Sequence, residues 1–150
     1  MSDASIEVAC TAAQAWALLI DVARIPAWVP GVAEVEILEQ DQLPRLAQFV
    51  TMPSTGSLVY RVRYEHDEAA RVQRWSSIAG DERGLDGGAR IEDLGDGRCR
   101  LHYSLSSWAG RAVPRWAQAA LADDTAQRTV EAFRRWVEGQ GGAAAAPRPR

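Results

Sequence analysis

Two histidines, His66 and His102, and two cysteines, Cys10 and Cys99, are among the side chains of this 150-residue chain suited to proton transfer or nucleophilic attack. None stands in a spacing that organises such chemistry, because the sequence holds no HExxH, CxxC or GxSxG motif. A general base at His66 needs a proton within hydrogen-bond reach, and no neighbouring nucleophile supplies one. The plainer reading is a structural histidine near a strand end. Cys10 and Cys99 lie singly in alternating apolar runs, the pattern of buried small hydrophobes rather than of a disulfide or metal site. Tyr60 and Tyr64 offer a different chemistry. Each carries an apolar ring with one hydroxyl, suited either to a backbone carbonyl or to an oxygenated apolar ligand. No catalytic, metal-binding or cofactor residue is assigned.

Composition removes whole mechanisms. The chain has no lysine, which rules out a phosphate-loop lysine, a Schiff base and a lysine general base. It has no asparagine, and so no glycosylation site. A net charge of −3 argues against a dedicated nucleic-acid binder, for which a basic excess is expected. Hydrophobic residues make up 47% and charged residues 25%, values that suit one globular domain. No apolar run reaches the roughly 20 residues of a membrane span, and the opening "MSDASIEVAC" lacks the features of a signal peptide. The expected location is the cytoplasm.

The elements that must position these residues follow from periodicity. Ile6, Val8 and Cys10 alternate with polar or small residues as in a half-buried strand. Thr11 with Gln14 forms a capping-box signature that opens a helix through Trp16 and Leu19. The connector "IDVARIPAWVPGV" cannot extend that helix, because Pro26 and Pro30 each remove a backbone donor and fix φ. It has room for one further helical turn. Trp28 and Val29 are costly to leave in water, so something must cover or bind them.

From Val32 onward the pattern is strands: "VAEVEIL", "RLAQFVTM", "GSLVYRVRYEH", "RVQRWSSI", "GARIEDL" and "RCRLHYSLSSW", with "GDG" as a hairpin turn between the last two. In the clearest strand Leu58, Tyr60, Val62 and Tyr64 share one face, and Val59, Arg61, Arg63 and Glu65 the other. Pro114 to Glu138 then changes period. Ala119, Ala122, Ala126, Val130, Phe133 and Val137 form an apolar stripe, with Pro114 at the first turn and Gly139 as the expected stop. Asp124 with Arg128, and Glu131 with Arg135, are outward pairs in the favourable order. The tail 139–150 has no periodicity and is expected to be disordered, leaving 1–138 as a single domain.

This order resembles the START-like superfamily (SRPBCC, or Bet v 1-like), and within it the polyketide cyclase/dehydrase and coenzyme-Q-binding branch. The likeness rests on "SIEVACTAAQAWALLIDVARIPAWVPGV", on "LVYRVRYEH" followed by "RVQRWSSIAG", and on "LDGGARIEDLGDGRCRLHYSL". It covers roughly residues 4–138. The resemblance implies an α+β helix-grip fold: a curved seven-stranded antiparallel sheet around a long C-terminal helix, with two short helices after the first strand.

Such a fold implies an apolar cavity between sheet and helix, of about 300 to 1,000 Å³. Trp28 and Val29 would stand near its mouth, or Trp28 would plug the core. The residues expected on its wall are Leu58, Tyr60, Val62 and Tyr64 from one strand, Ala89 and Ile91 from another, and Ala126, Val130 and Phe133 from the helix. Trp75 and Trp108 sit in strands of imperfect alternation, and a bulge could turn either one inward or outward. Relatives often carry a large aromatic where Ala89 stands here. A larger or differently shaped cavity is therefore expected, unless Trp75 or Trp116 refills it. His66 falls at the rim and His102 on the outer face.

The function these features imply is binding of a hydrophobic small molecule: a lipid, an isoprenoid quinone or a polyketide-like aromatic. The alternative is a polyketide cyclase, aromatase or dehydrase. A further alternative is a protein-interaction module using Arg61, Arg63, Arg90 and Arg100 on the convex face, where Glu65 and Glu92 interleave and a solvated, balanced face is the default.

Overall fold

The computed structural model describes residues 2–29, 32–51, 58–78, 83–109 and 126–145. The first strand, β1 (Ser2–Val8), leads into α1 (Ala12–Leu19). The capping box forms as expected: Gln14 N–H donates to Thr11 Oγ1 at 3.1 Å, and Thr11 N–H donates to Gln14 Oε1 at 3.0 Å. Two of the orphan donors at the helix start are thereby satisfied. The connector forms a short 3₁₀ turn over Val22–Ala27, with Pro26 inside it.

Six strands follow: β2 (Val32–Gln40), β3 (Pro44–Thr51), β4 (Leu58–Asp67), β5 (Val72–Ser77), β6 (Arg83–Gly95) and β7 (Arg98–Ala109). They pair in one antiparallel sheet in the order β1-β7-β6-β5-β4-β3-β2. Each strand from β2 to β7 therefore lies beside its neighbour in sequence, and β1 closes the far edge against β7. The β6–β7 turn needs positive φ at Gly95 (80°), Asp96 (56°) and Gly97 (74°), which explains its glycines.

The terminal helix, α2 (Ala126–Ala145), packs on β1 and β7. Its buried face carries Ala126, Val130, Phe133 and Val137, the stripe read from the sequence. The earlier part of the expected helix, with Ala119, Ala122, Asp124 and Trp116, lies outside the described residues. At the other end the helix runs past Gly139, the expected stop, to Ala145. An added Cβ at Gly139 would meet nothing, and its φ is not positive, so its backbone carries no stop signal. Glu131 accepts a hydrogen bond from Gln127 at 2.9 Å, and Glu138 accepts one from Ala9 N–H at 3.2 Å, tying the helix to β1. No described helix is long and apolar enough to cross a membrane.

The outer face of the sheet balances its charge. Arg63 pairs with Glu39 at 3.8 Å and Arg100 with Glu7 at 3.8 Å, while Arg98 also reaches Glu7. His102 stands there as expected, its Nε2 at 2.8 Å from Glu92 Oε1. Hydrogen bonding to His102 holds the Glu92 carboxyl below its usual range. Cys10 and Cys99 are free and buried, and burial pushes the Cys99 thiol up to about 12.

Candidate functional site

The inner face of β4 presents Tyr60, Val62 and Tyr64, all buried. Strand alternation puts them there, and each partner strand adds aromatic surface. Phe49 of β3 stacks on Tyr60 with ring centres 5.4 Å apart, in register with it across the strands. From β5, Trp75 turns inward and lies 6.3 Å from Tyr64 and 5.2 Å from Tyr103 of β7.

Trp75 can lie so close to the sheet because its cross-strand partner is Gly87. A Cβ at Gly87 would stand 2.2 Å from the Ser104 carbonyl oxygen and 3.0 Å from the Trp75 ring. The neighbouring Ala89, between Gln73 and Tyr103 in the register, is also small. The indole takes up the volume that Gly87 leaves.

The connector closes the site from the other side. Trp28 meets Phe133 edge-on at 5.0 Å and stacks on Trp136 at 6.0 Å, and the Arg24 guanidinium lies 5.6 Å over the Trp136 ring. Beneath it is a cavity of about 40 Å³. Trp28, Val29, Tyr60, Val62, Tyr64 and Trp75, six of the residues singled out in the sequence, line it. Leu19, Ile25, Val32, Phe49, Gln73 and Tyr103 also line it, and these were not anticipated. Tyr103 was legible, since it shares parity with Leu101 and Leu105 opposite the outer His102. Gln73 was not, because nothing in "RVQRW" distinguishes an inward amide from a solvated one.

The remaining expected residues lie elsewhere. Ala89, Ile91, Ala126, Val130 and Phe133 are buried in the core but do not reach the cavity wall. α2 settles directly on β1 and β7, and the cavity described here lies under the connector. The side chains of Leu58 and Trp108 lie outside the described residues. Among the described residues Ala89 adds no volume to the cavity under the connector, which it does not line, and Trp116, the other residue expected to refill it, lies outside them. At about 40 Å³ the interior has room for water, which needs roughly 10–15 Å³ per molecule, and falls short of a ligand cavity.

The polar groups of the wall are neutral. Burial raises the Tyr64 hydroxyl well above its ordinary value and raises that of Tyr103, so both keep their protons at neutral pH. Gln73 is 3% exposed, and its Nε2 lies 3.1 Å from His66 Nε2. His66 itself is half-buried. Its ring stacks on Tyr64 at 5.7 Å and meets Trp16 edge-on at 6.2 Å, and burial lowers its pKa. The indole nitrogens of Trp28 and Trp75 are buried with no hydrogen-bond partner among the described residues. Among those residues no group of three or more His, Cys, Asp or Glu could hold a metal ion.

Solved structures share this architecture at low identity. The START superfamily protein from Mycobacterium smegmatis superposes with a TM-score of 0.75 at 20% identity, covering 92% of this chain and 97% of that one. The Zhui aromatase/cyclase from Streptomyces sp. R1128 gives 0.73 at 20% identity, covering 97% and 94%. The STAR-related lipid transfer protein from Xanthomonas axonopodis gives 0.67 at 16%, covering 91% and 84%. No curated protein sequence matches significantly. These likenesses establish the helix-grip fold. The model of the family described as polyketide cyclase/dehydrase and lipid transport matches residues 8–134, and the chain belongs to that family.

Proposed function

We propose that the protein binds a hydrophobic small molecule bearing oxygen functions, of the lipid, isoprenoid quinone or polyketide-aromatic kind, in the cavity under the Trp28 connector. The observation that carries this reading is the wall itself: apolar and aromatic surface with a few neutral polar groups, the tyrosine hydroxyls and the Gln73 amide among them. The lipid transport and polyketide chemistry named for its family, and the lipid-transfer and aromatase/cyclase relatives of the same fold, agree with it. Two free, buried thiols suit a reducing compartment, in keeping with action in the cytoplasm.

At about 40 Å³ the cavity as it stands is too small for such a ligand, so a ligand must displace side chains. The connector is the part to move, because it is a single 3₁₀ turn anchored through Trp28 and Arg24 on Trp136. Opening there would bring Phe133 within reach of a ligand, since Trp28 covers it. The unpartnered indole N–H groups of Trp28 and Trp75 add to the cost of the closed state, and an acceptor on a ligand would relieve it.

Binding is favoured over catalysis by the make-up of the wall. Tyr64 and Tyr103 keep their protons at neutral pH, and His66 contacts the wall through Gln73 and Tyr64. The test is denaturing mass spectrometry of the purified protein for a co-purified hydrophobe, together with titration of tryptophan fluorescence by 2-naphthol. A retained hydrophobe or saturable quenching supports the reading. Neither one, in wild type or in Trp28→Ala with its mouth widened, overturns it.

A further inference from the structure

Resting on that reading, we propose that Gln73 is the side chain that selects the ligand's hydrogen-bonding end, and that His66 sets which way its amide faces. The amide nitrogen of Gln73 and Nε2 of His66 are 3.1 Å apart. An amide nitrogen has no lone pair to offer, so it donates, and the imidazole accepts as the Nδ1–H tautomer. This spends one end of the Gln73 amide on His66. The other end is the oxygen, on a side chain that lines the cavity. A neutral His66 therefore gives the cavity an acceptor, which takes a ligand hydroxyl and gains nothing from an ether or a ketone in its place.

Protonation of His66 reverses the arrangement. Its Nε2 then carries a hydrogen and can only donate, so the Gln73 amide must rotate to present its oxygen to the ring. The nitrogen end is left facing the cavity, as a donor. The imidazole cannot evade this by turning, because Tyr64 is stacked on one side and Trp16 stands edge-on to it.

The groups around His66 favour the neutral form. Trp16 from α1, Tyr64 from β4 and Gln73 from β5 are uncharged at neutral pH and bury the ring. Its open edge meets an outer cleft lined by Asp41, Arg45, Glu65, Asp67 and Glu68. Of these Glu68 pulls its pKa up, by less than burial pushes it down. The two orientations thus exchange below the ordinary histidine value, on the acid side of neutrality.

The probes are 2-naphthol and 2-methoxynaphthalene, equal in ring system and differing in the one donor. The expected result is a preference for naphthol that falls by about tenfold between about pH 8 and about pH 5, the size of one hydrogen bond gained or lost. Gln73→Leu should remove the preference at both pH values, and His66→Phe should leave a ratio that no longer varies with pH. Nitrogen NMR of the ligand-free protein reads the same switch: His66 Nε2 unprotonated near pH 8, and the Gln73 side-chain amide signals shifting as His66 titrates. A constant ratio in wild type, or Gln73 signals that ignore the titration, overturns the inference. If neither probe binds, the cavity reading falls and the inference about ligand choice falls with it; the ligand-free titration then decides whether the amide switch itself exists.

Discussion

The two histidines sit on opposite faces of one sheet and live under different rules. On the inner face His66 lies between Trp16 and Tyr64, bonded to a neutral amide, and burial lowers its pKa. On the outer face His102 lies 2.8 Å from the carboxylate of Glu92, in a row of acids and arginines open to water. Low dielectric penalises charge, so the inner face works with neutral hydrogen bonds and aromatic packing. Water screens charge, so the outer face tolerates many ion pairs that each contribute little.

Breaking the inner packing should have the largest effect. Phe133→Ala empties a fully buried position against Trp28 and should cost about 3–5 kcal/mol in urea denaturation. A loss below 1 kcal/mol would mean that α2 does not grip the sheet as described. Next is Gly87→Ala, where a methyl cannot fit between the Ser104 carbonyl and Trp75. It should cost about 1–3 kcal/mol and loosen Trp75, seen as a change in near-ultraviolet circular dichroism.

Acid sharpens the contrast further. The folded pKa of His66 lies below its ordinary value of 6.5, so from 6.5 downward the unfolded chain takes up the proton first and stability falls with pH. His66→Phe should flatten that part of the stability–pH curve. Glu92, whose folded pKa is lowered chiefly by its bond to His102, contributes in full above its ordinary value of 4.5, and its share is lost as pH falls from there through the lowered folded value. The smallest effect belongs to the outer pairs. Arg100→Ala should change stability by less than about 1 kcal/mol, and added salt should erase the difference.

The elements were legible because their signals are local. The Thr11–Gln14 cap, the prolines of the connector, the alternation of Tyr60, Val62 and Tyr64, and the glycines around Asp96 each act within a few residues. The site was legible in part for the same reason. Parity places the β4 tyrosines inward and would have placed Tyr103 there too. The facing of Trp75, by contrast, depends on Gly87, which reaches it only through strand pairing. Gln73 acquires its role only by standing opposite His66 in the β4–β5 register.

The sequence by itself determined the strand and helix pattern, the apolar stripe of α2 and the membership of a helix-grip family, since periodicity and turn chemistry are properties of neighbouring residues. Tertiary structure alone decided how much of the interior stays open and which polar group faces it. Volume is a sum over side chains from distant segments, and a buried amide takes its direction from whichever partner the fold brings within 3.1 Å.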